Sequence, residues 1–274
     1  MAITAAEVNK LRQMTGAGMM DCKKALTEAN GDFDAAIDLL RKKGQKVAAN
    51  RADREASEGL VIAKTSADHK KGVLVSVNCE TDFVAKNADF GKMAETIAEA
   101  ALANGINDVD ALKALAYEGS LTIGDKLTEQ TGVIGEKIDV SYCQTVQAEY
   151  VYAYNHPGNR VASLVGMNKT GHEEVAKDVA MQAAAMAPIA LDKASTPQSV
   201  VDKELEIGKE LAIQEGKPAE MAEKIAQGRL NKFFKESTLL AQEFIKDNKL
   251  SVEQYVQKAD KDLKVVDFKR HALA

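Results

Sequence analysis

The sequence contains no tryptophan and few of the other residues that mark specialised proteins. Its 274 residues include four prolines and three cysteines, and aromatic side chains make up 5% of the chain. No apolar run reaches the roughly 20 residues that a membrane-spanning helix requires. The N-terminal segment MAITAAEVNKLRQM lacks the charged-then-apolar pattern of a signal peptide. We therefore predict a cytoplasmic protein that makes no membrane contact.

Patterns that hold metals or cofactors are also missing. Cys22, Cys79 and Cys143 are odd in number, widely spaced and form no C-x-x-C pair, which argues against disulfides and structural zinc. The four histidines lack metal-ligand spacing. The chain has no G-x-x-x-x-G-K-[ST], and no G-x-G-x-x-G that opens a helix after a strand. We expect reduced thiols, no cofactor and no direct nucleotide binding.

The charge balance favours a protein partner over a nucleic acid. The formal net charge is −5, yet residues 1–54 hold ten Lys/Arg against seven Asp/Glu. Nucleic-acid binding usually requires a denser basic stripe with stacking aromatic side chains. A mildly basic segment in an acidic chain suits a partner with an acidic surface.

The first 43 residues predict three short helices. Thr4 and Glu7 form a capping box for the first helix, which Gly16 ends. Asp32 caps the third helix, and we expect Gly44 to end it. Helices this short must pack on one another to be stable. Residues 45–58 are polar and predict a linker that is partly helical.

The pattern of residues after position 58 predicts an α+β fold. Two β-branched runs at residues 60–62 and 73–77 flank a polar turn, and a helical pattern follows residue 87. Residues 137–167 are again strand-rich and precede a helix at about 172–187. The two stretches share an apolar strand, a turn containing VAK and an alanine-rich helix, which indicates two related subdomains.

A helical hairpin is inserted into the second subdomain. Residues 197–235 contain two charged helical stretches joined at Gly216 and Pro218, residues that suit the end of one helix and the start of the next. The apolar positions form narrow seams, which predict an antiparallel pair packed on itself. Those positions are Val201, Leu205, Ala212, Met221, Ile225 and Phe233. We predict a three-helix module with a linker helix (1–54), two core subdomains (55–136; 137–196 with 236–274) and the hairpin (197–235).

Two segments stand out as candidate functional sites. LRQMTGAGMMDCKKAL, at residues 11–26, places Met19 and Met20 just after a two-glycine turn. Adjacent helical residues cannot share one stripe, so one methionine is expected near the surface, although burial of both in a small core is equally compatible. CETDFVAKN, at residues 79–87, places Asp82 and Phe83 between a strand and a helix. The residues alone favour an inward Phe83 and an Asp82 that caps a turn.

Together these two segments resemble the elongation factor Ts family. The motifs L-R-x-x-T-G-A-G-M-M-D-C-K-K-A-L and T-D-F-V-A-K-N are long and nearly gapless, and the resemblance covers most of the chain. It implies a ubiquitin-associated-like N-terminal module, a duplicated α+β core and an inserted helical hairpin. It also implies guanine-nucleotide exchange on elongation factor Tu, the GTPase partner, without covalent chemistry.

The resemblance assigns roles to matching residues only. It implies that one loop inserts beside the magnesium site of elongation factor Tu, through Thr81, Asp82, Phe83 and Val84. It implies docking contacts at Arg12, Met19, Met20, Lys23 and His156. The hairpin is implied in self-association or in further contact with the partner.

The sequence leaves two other classes of protein as alternatives. A ubiquitin-associated-like adaptor would tether partners through residues 1–43 and would give the T-D-F-V loop no role. A cysteine-dependent enzyme would use Cys79 as its nucleophile. We predict instead that Phe83 wedges between partner helices while Asp82 perturbs the water shell of Mg²⁺, so that the metal and then GDP leave.

Overall fold

The computed structural model describes residues 3–274 and confirms the α+β prediction. Its helices are Ala5–Thr15 (α1), Met19–Glu28 (α2), Phe33–Arg51 (α3), Asp82–Ala85 (α4), Ala88–Asn104 (α5), Val109–Ala114 (α6), Ile123–Ile134 (α7), Glu173–Met186 (α8), Gln198–Gln214 (α9), Ala219–Ser237 (α10) and Val252–Ala259 (α11). Its strands are Glu58–Thr65 (β1), Lys71–Cys79 (β2), Ala116–Glu118 (β3), Leu121–Thr122 (β4), Asp139–Gln147 (β5), Tyr150–Asn155 (β6), Val161–Met167 (β7), Glu243–Phe244 (β8), Asp247–Ser251 (β9) and Val265–Ala272 (β10).

The chain folds into two compact units. Unit 1 comprises the residues up to Ile62 together with Val75–Gln144 and Leu273–Ala274. Unit 2 comprises Ala63–Leu74 and Thr145–Ala272. The four-part domain division given above stays a prediction.

The N-terminal module of unit 1 is built from α1, α2 and α3. The predicted capping box is present, because the Thr4 hydroxyl accepts from the Glu7 amide and the Glu7 carboxylate accepts from the Thr4 amide. Gly16 ends α1 in the left-handed conformation at φ 70°, which glycine adopts without strain. The small core that these helices share contains Val8, Leu11, Ala17, Cys22, Ala25, Leu26 and Ala36.

The prediction that Gly44 ends the third helix is wrong. Helix α3 continues through Gly44 to Arg51, and Gly44 is buried against α7. A Cβ added to Gly132 of α7 would lie 2.3 Å from the Gly44 Cα. At Gly132 the two backbones therefore approach too closely for any side chain, whereas a Cβ at Gly44 would make only ordinary contact, 3.5 Å from the Thr128 carbonyl oxygen. A packing requirement here outweighs the weak helix propensity of glycine.

The two core sheets follow one plan, as the sequence predicted. One sheet has the strand order β1-β2-β5, and the other has the order β10-β7-β6. In each, the central strand leads into a long amphipathic helix, α5 after β2 and α8 after β7. The second sheet is antiparallel, with Tyr150 opposite Met167 on one side and Val265 opposite Met167 on the other.

The predicted helical hairpin is present in unit 2, but its seam is shifted on α10. Met221 is exposed, whereas the buried residues of α10 recur every four positions at Ala222, Ala226, Leu230 and Phe234. Gly208 of α9 packs directly on Ala226. The ion pairs Lys209–Glu223 and Arg229–Glu215 connect the two helices. Small residues in the seam allow the helices to approach closely.

One stretch carries structure that the sequence reasoning did not find. Between α5 and β5 the chain forms α6, the short β3–β4 pair and α7. Helix α7 begins with a capping box between Thr122 and Asp125 and ends at Gly135, which is left-handed. It packs along α3, so it fixes the position of the residues that follow it.

No helix in residues 3–274 is long and apolar enough to cross a membrane. Within the same residues, no cluster of three or more histidine, cysteine, aspartate or glutamate side chains could hold a metal ion.

Two glycine-to-alanine changes test the close approach of the helix backbones at Gly132. Gly132→Ala forces a methyl group into the Gly44 backbone and should lower the free energy of unfolding by about 1–3 kcal/mol or more. Gly228→Ala, in α10, meets nothing within 4 Å and should raise it by up to about 1 kcal/mol. Thermal unfolding of both variants measures the difference. Equal small effects would contradict the close-packing argument.

Candidate functional site

Phe83 projects into solvent from the end of strand β2. It lies in α4, a single helical turn that follows Cys79, and it is 82% exposed. The expectation from the residues alone, an inward Phe83, is therefore wrong. An exposed phenylalanine leaves a large apolar surface in water, which is typical of a side chain that a partner buries.

The carboxylate of Glu136 fixes the backbone immediately before Phe83. It accepts one hydrogen bond from the Thr81 amide at 3.0 Å and another from the Thr81 hydroxyl at 2.8 Å. Glu136 directly follows Gly135, the residue that ends α7. Hydrogen bonds to an ionised acceptor are stronger than neutral ones. Thr81 is therefore held in place by its own chain.

A second carboxylate holds the preceding residue. Glu80 accepts two hydrogen bonds from Nη1 of Arg51, at 2.8 and 3.0 Å, and a third from the Lys137 amide at 2.7 Å. The hydrogen bond from the Lys137 amide, together with the Arg51 guanidinium, keeps the pKa of Glu80 below its ordinary value, although burial acts in the opposite direction. We call residues Glu80–Ala85 the Phe83 turn. The C-terminal ends of α3 and α7 thus meet at this turn.

Asp82 stands beside Phe83 as an exposed anion. Thr81 occupies the N-cap of α4, and Asp82 lies in the first turn, where its carboxylate accepts from Nζ of Lys86 at 2.6 Å. This hydrogen bond lowers the pKa of Asp82. A side chain so placed is charged at neutral pH and available to groups outside the protein. Val84 is half-buried behind it.

Cys79 has none of the properties of a nucleophile. It is fully buried, and its Sγ donates to the Thr81 carbonyl at 3.1 Å. Burial, followed by the nearby Glu136 charge, raises the pKa of the thiol to about 12. Reactive cysteines need a lowered pKa and access to solvent. The thiol instead contributes to the packing under the Phe83 turn.

The docking residues implied on α1 and α2 are all exposed. Met19 and Met20 are 57% and 64% exposed, so burial of both in the small core is excluded. Lys23 lies one turn after Met19 on α2, and Arg12 lies in the last turn of α1. We call Arg12, Met19, Met20 and Lys23 the methionine patch. Flexible thioether side chains beside two cations suit an adaptable contact with an acidic protein surface.

Ordered packing beneath the methionine patch holds its turn. Cys22 is buried and its Sγ donates to the Ala17 carbonyl at 3.6 Å, while the Thr15 hydroxyl donates to the Leu11 carbonyl at 2.8 Å. Gly18 begins α2 in an extended conformation. The methionines are therefore exposed because the neighbouring small residues fill the core in their place.

His156 lies in unit 2, in the turn that joins β6 to β7. It is exposed, and its Nδ1 lies 2.9 Å from the Tyr154 hydroxyl. The sequence-predicted residues thus fall on three surfaces: the Phe83 turn and the methionine patch in unit 1, and this turn in unit 2.

The sequence reasoning missed the residues that hold the Phe83 turn. Glu136 is 55 positions from Thr81 along the chain, and Arg51 is 29 positions from Glu80. No local pattern distinguishes these charges from others on exposed helical faces. The one local signal is the charge of Glu80, which directly follows the buried Cys79 at the end of strand β2.

Comparison with known proteins decides the family. A family model described as Elongation factor TS matches residues 80–274. Elongation factor Ts of Christiangramia forsetii is 59% identical over 273 residues, covering 99% of this chain and 98% of the relative. Those of Flavobacterium psychrophilum and Amoebophilus asiaticus are 52% and 53% identical, each over 273 residues and 98% of the relative's length.

The chain belongs to the elongation factor Ts family. The resemblance drawn from the two motifs is thereby confirmed. The family model begins at residue 80 and so includes the Phe83 turn, while the full-length relatives also cover the methionine patch.

The lowered pKa of Glu80 gives a prediction for the pH dependence of stability. A carboxylate with a folded-state pKa below its unfolded value stabilises the protein above the unfolded pKa, and that contribution is lost as pH falls through the folded pKa. Glu80→Gln should cost about 1–3 kcal/mol at pH 7 and flatten the acid decline. Denaturant unfolding between pH 3 and 7 measures both.

The exposed carboxylate of Glu28 on α2 supplies the control for this experiment. Glu28→Gln removes the same charge without touching the Phe83 turn and should leave the acid limb of the stability profile unchanged. Parallel profiles for wild type and Glu80→Gln would rule out a stabilising role for the Glu80 contacts.

Proposed function

We propose that this chain is a guanine-nucleotide exchange factor. It binds elongation factor Tu in the GDP-bound state and promotes release of Mg²⁺ and GDP, so that GTP can rebind during translation elongation. It acts in the cytoplasm, binds no nucleotide or nucleic acid itself and makes or breaks no covalent bond. The observation that carries the proposal is an exposed Phe83 held by two carboxylates in a member of this family.

The mechanism begins with docking through the methionine patch and His156. The patch combines apolar area with the charges of Arg12 and Lys23, and residues 1–54 are the mildly basic part of the chain. Complementary charge accelerates encounter and fixes orientation more than it adds affinity. Docking then brings the Phe83 turn to the nucleotide site of the partner.

Phe83 and Asp82 then act on the partner in different ways. GTPases hold GDP through phosphate-binding groups and a Mg²⁺ ion that requires near-ideal octahedral geometry. Phe83 enters an apolar gap between partner helices and displaces the groups around the metal. The Asp82 carboxylate perturbs the water shell of the ion, while Thr81 and Val84 belong to the same inserted turn and keep it in position. Loss of Mg²⁺ weakens the hold on the diphosphate, and GDP leaves.

The free energy that burial of Phe83 can contribute to exchange depends on how well the Phe83 turn is ordered before binding. Burying a phenylalanine side chain stabilises a complex by about 1.5–3 kcal/mol. A thousandfold acceleration of release requires about 4 kcal/mol. Phe83 can therefore supply a large part of the effect only if little is lost in ordering its backbone, and the Glu80 and Glu136 contacts already order it.

Linkage sets a further requirement. If the chain weakens GDP binding to elongation factor Tu, GDP must weaken binding of the chain by the same factor. GTP then displaces the chain and completes the cycle. An adaptor that only tethers partners would bind equally well to the nucleotide-free and GDP-bound forms.

The proposal predicts separate defects for the two residues. Phe83→Ala should slow the stimulated release of a fluorescent GDP from elongation factor Tu by about 10- to 100-fold, because it removes the apolar contact. Asp82→Asn should cause a smaller defect, which disappears when EDTA removes Mg²⁺, since its effect acts through the metal. Stopped-flow fluorescence with substoichiometric protein gives both rates.

Val266→Ala serves as the control, because Val266 is an exposed apolar residue of strand β10 in unit 2. It should exchange at the wild-type rate. Binding of the wild-type chain without faster GDP release would overturn the exchange function in favour of the adaptor. Wild-type rates for Phe83→Ala would instead overturn the wedge.

We further propose that the helical hairpin mediates self-association or additional contact with elongation factor Tu. Ile207 and Leu211 lie one turn apart on α9 and are 38% and 43% exposed, and Met221 on α10 is also exposed. Together these side chains expose more apolar surface than a single surface residue does, and such a surface suits burial against another helix.

A charge placed on this stripe separates the two roles. Leu211→Lys should convert any dimer of the free chain to monomer in sedimentation velocity, while exchange on elongation factor Tu is retained. If the hairpin contacts the partner instead, the same change should weaken binding to elongation factor Tu several-fold and leave the sedimentation of the free chain unaltered. No effect in either measurement would contradict both roles.

A further inference from the structure

A cleft in unit 2 combines apolar walls with a single arginine. It has a volume of about 450 Å³ and lies between the ends of the β10-β7-β6 sheet, helix α8 and the β8–β9 hairpin. The residues that line it are Tyr154, His156, Val161, Met181, Ala184, Ala185, Ile245 and Arg270. None of these eight is acidic, so the guanidinium is the dominant charge of what we call the Arg270 cleft.

The register of the sheet brings the polar members together. Tyr154 of β6 and Arg270 of β10 both lie opposite Ser163 of the central strand β7. Residues directly opposite one another share a face of the sheet. The Ser163 hydroxyl donates to the Ala180 carbonyl of α8, so this is the face that α8 covers. Tyr154 and Arg270 therefore flank the C-terminal half of α8 on either side.

Arg270 has donors that its own chain does not use. Its Nε donates to the Ala184 carbonyl at 3.2 Å, and among residues 3–274 it forms no ion pair with a carboxylate. Partial burial lowers the pKa of Arg270, yet a guanidinium remains charged in proteins. Of its five N–H donors, those on the terminal nitrogens are left for a group that enters the cleft.

A purely structural role explains only part of this arrangement. Cations near a helix C-terminus stabilise its last carbonyls, and Ala184 is two residues from the end of α8. That role accounts for the Nε contact. It does not account for an apolar cleft that stays open in front of the terminal nitrogens, nor for the Tyr154–His156 pair on the opposite wall.

We propose that the Arg270 cleft binds a carboxylate side chain carried on an apolar segment of elongation factor Tu. The carboxylate would pair with the terminal nitrogens of Arg270, and the neighbouring apolar side chains would pack on the walls. Charge complementarity supports this occupant, since a partly desolvated guanidinium favours a planar anion that it can grip with two parallel hydrogen bonds. The partner is named on the strength of the proposed function, and His156 lies on the wall of the same cleft.

The first experiment removes the charge. Arg270→Gln should raise the concentration of this chain required for half-maximal GDP release about 10- to 100-fold, because a charge-assisted pair is lost from the complex. The limiting release rate at saturation should stay unchanged, since the Phe83 turn is intact. Arg270→Lys should recover part of the affinity. Lys258→Gln, at an exposed lysine of α11, controls for net charge.

The second experiment leaves Arg270 and its helix contact in place. Ala185 is exposed at the cleft wall, so Ala185→Glu supplies a carboxylate from within the chain that competes for the guanidinium. Ala185→Gln has the same size without the charge. The Glu variant should bind elongation factor Tu at least several-fold more weakly than the Gln variant, with equal thermal stability or better.

The outcomes separate this inference from the proposed function. If wild type accelerates GDP release and both Arg270→Gln and Ala185→Glu match their controls in affinity, the cleft binds no carboxylate and the inference alone is overturned. The inference is also overturned if Arg270→Gln only lowers the melting temperature and Ala185→Glu binds like Ala185→Gln. If wild type neither binds elongation factor Tu nor releases GDP, the proposed function is overturned and the inference with it.

Discussion

The contact between Gly44 and Gly132 is the constraint on which the candidate site depends. It lets α3 and α7 pack with their backbones in contact, and a side chain at Gly132 would separate them. Arg51 at the end of α3 and Glu136 just beyond α7 are thereby brought to the same strand end. Two elements that are distant in sequence thus deliver opposite charges to the Phe83 turn. The position of the exposed Phe83 turn therefore depends on how closely α3 and α7 pack inside the protein.

The arrangement resolves a conflict between exposure and order. An apolar side chain in water gains nothing from staying exposed, and a short turn of four helical residues has little stability of its own. The hydrogen bonds to Glu80 and Glu136 supply that order without burying Phe83. The methionine patch follows the opposite principle, because its side chains are flexible and only the turn beneath them is fixed. A rigid aromatic residue suits a defined gap, and methionine suits a surface that must be fitted.

Sequence reasoning reached the elements that local signals determine. The capping box at Thr4, the left-handed Gly16 and the hairpin break at Gly216 each follow from backbone chemistry within a few residues. It failed where tertiary packing overrides such signals. Gly44 reads as a helix end, yet α3 continues because α7 covers it. The residues alone favour an inward Phe83, yet it is exposed, and the buried residue at this strand end is Cys79. Glu136 could not be found, since its role exists only after α7 is placed.

On the proposed function, the contacts of Thr81 and Asn87 explain why the family motif extends beyond Asp82 and Phe83. Thr81 lies inside T-D-F-V-A-K-N, but its amide and hydroxyl are both occupied by Glu136. On the proposed function, Thr81 therefore fixes the position of Asp82 and Phe83 and does not itself contact the partner. Asn87 acts similarly at the other end, where its side chain caps α5 through the Asp89 and Phe90 amides. A motif of seven residues thus presents two side chains and uses the flanking ones to position them.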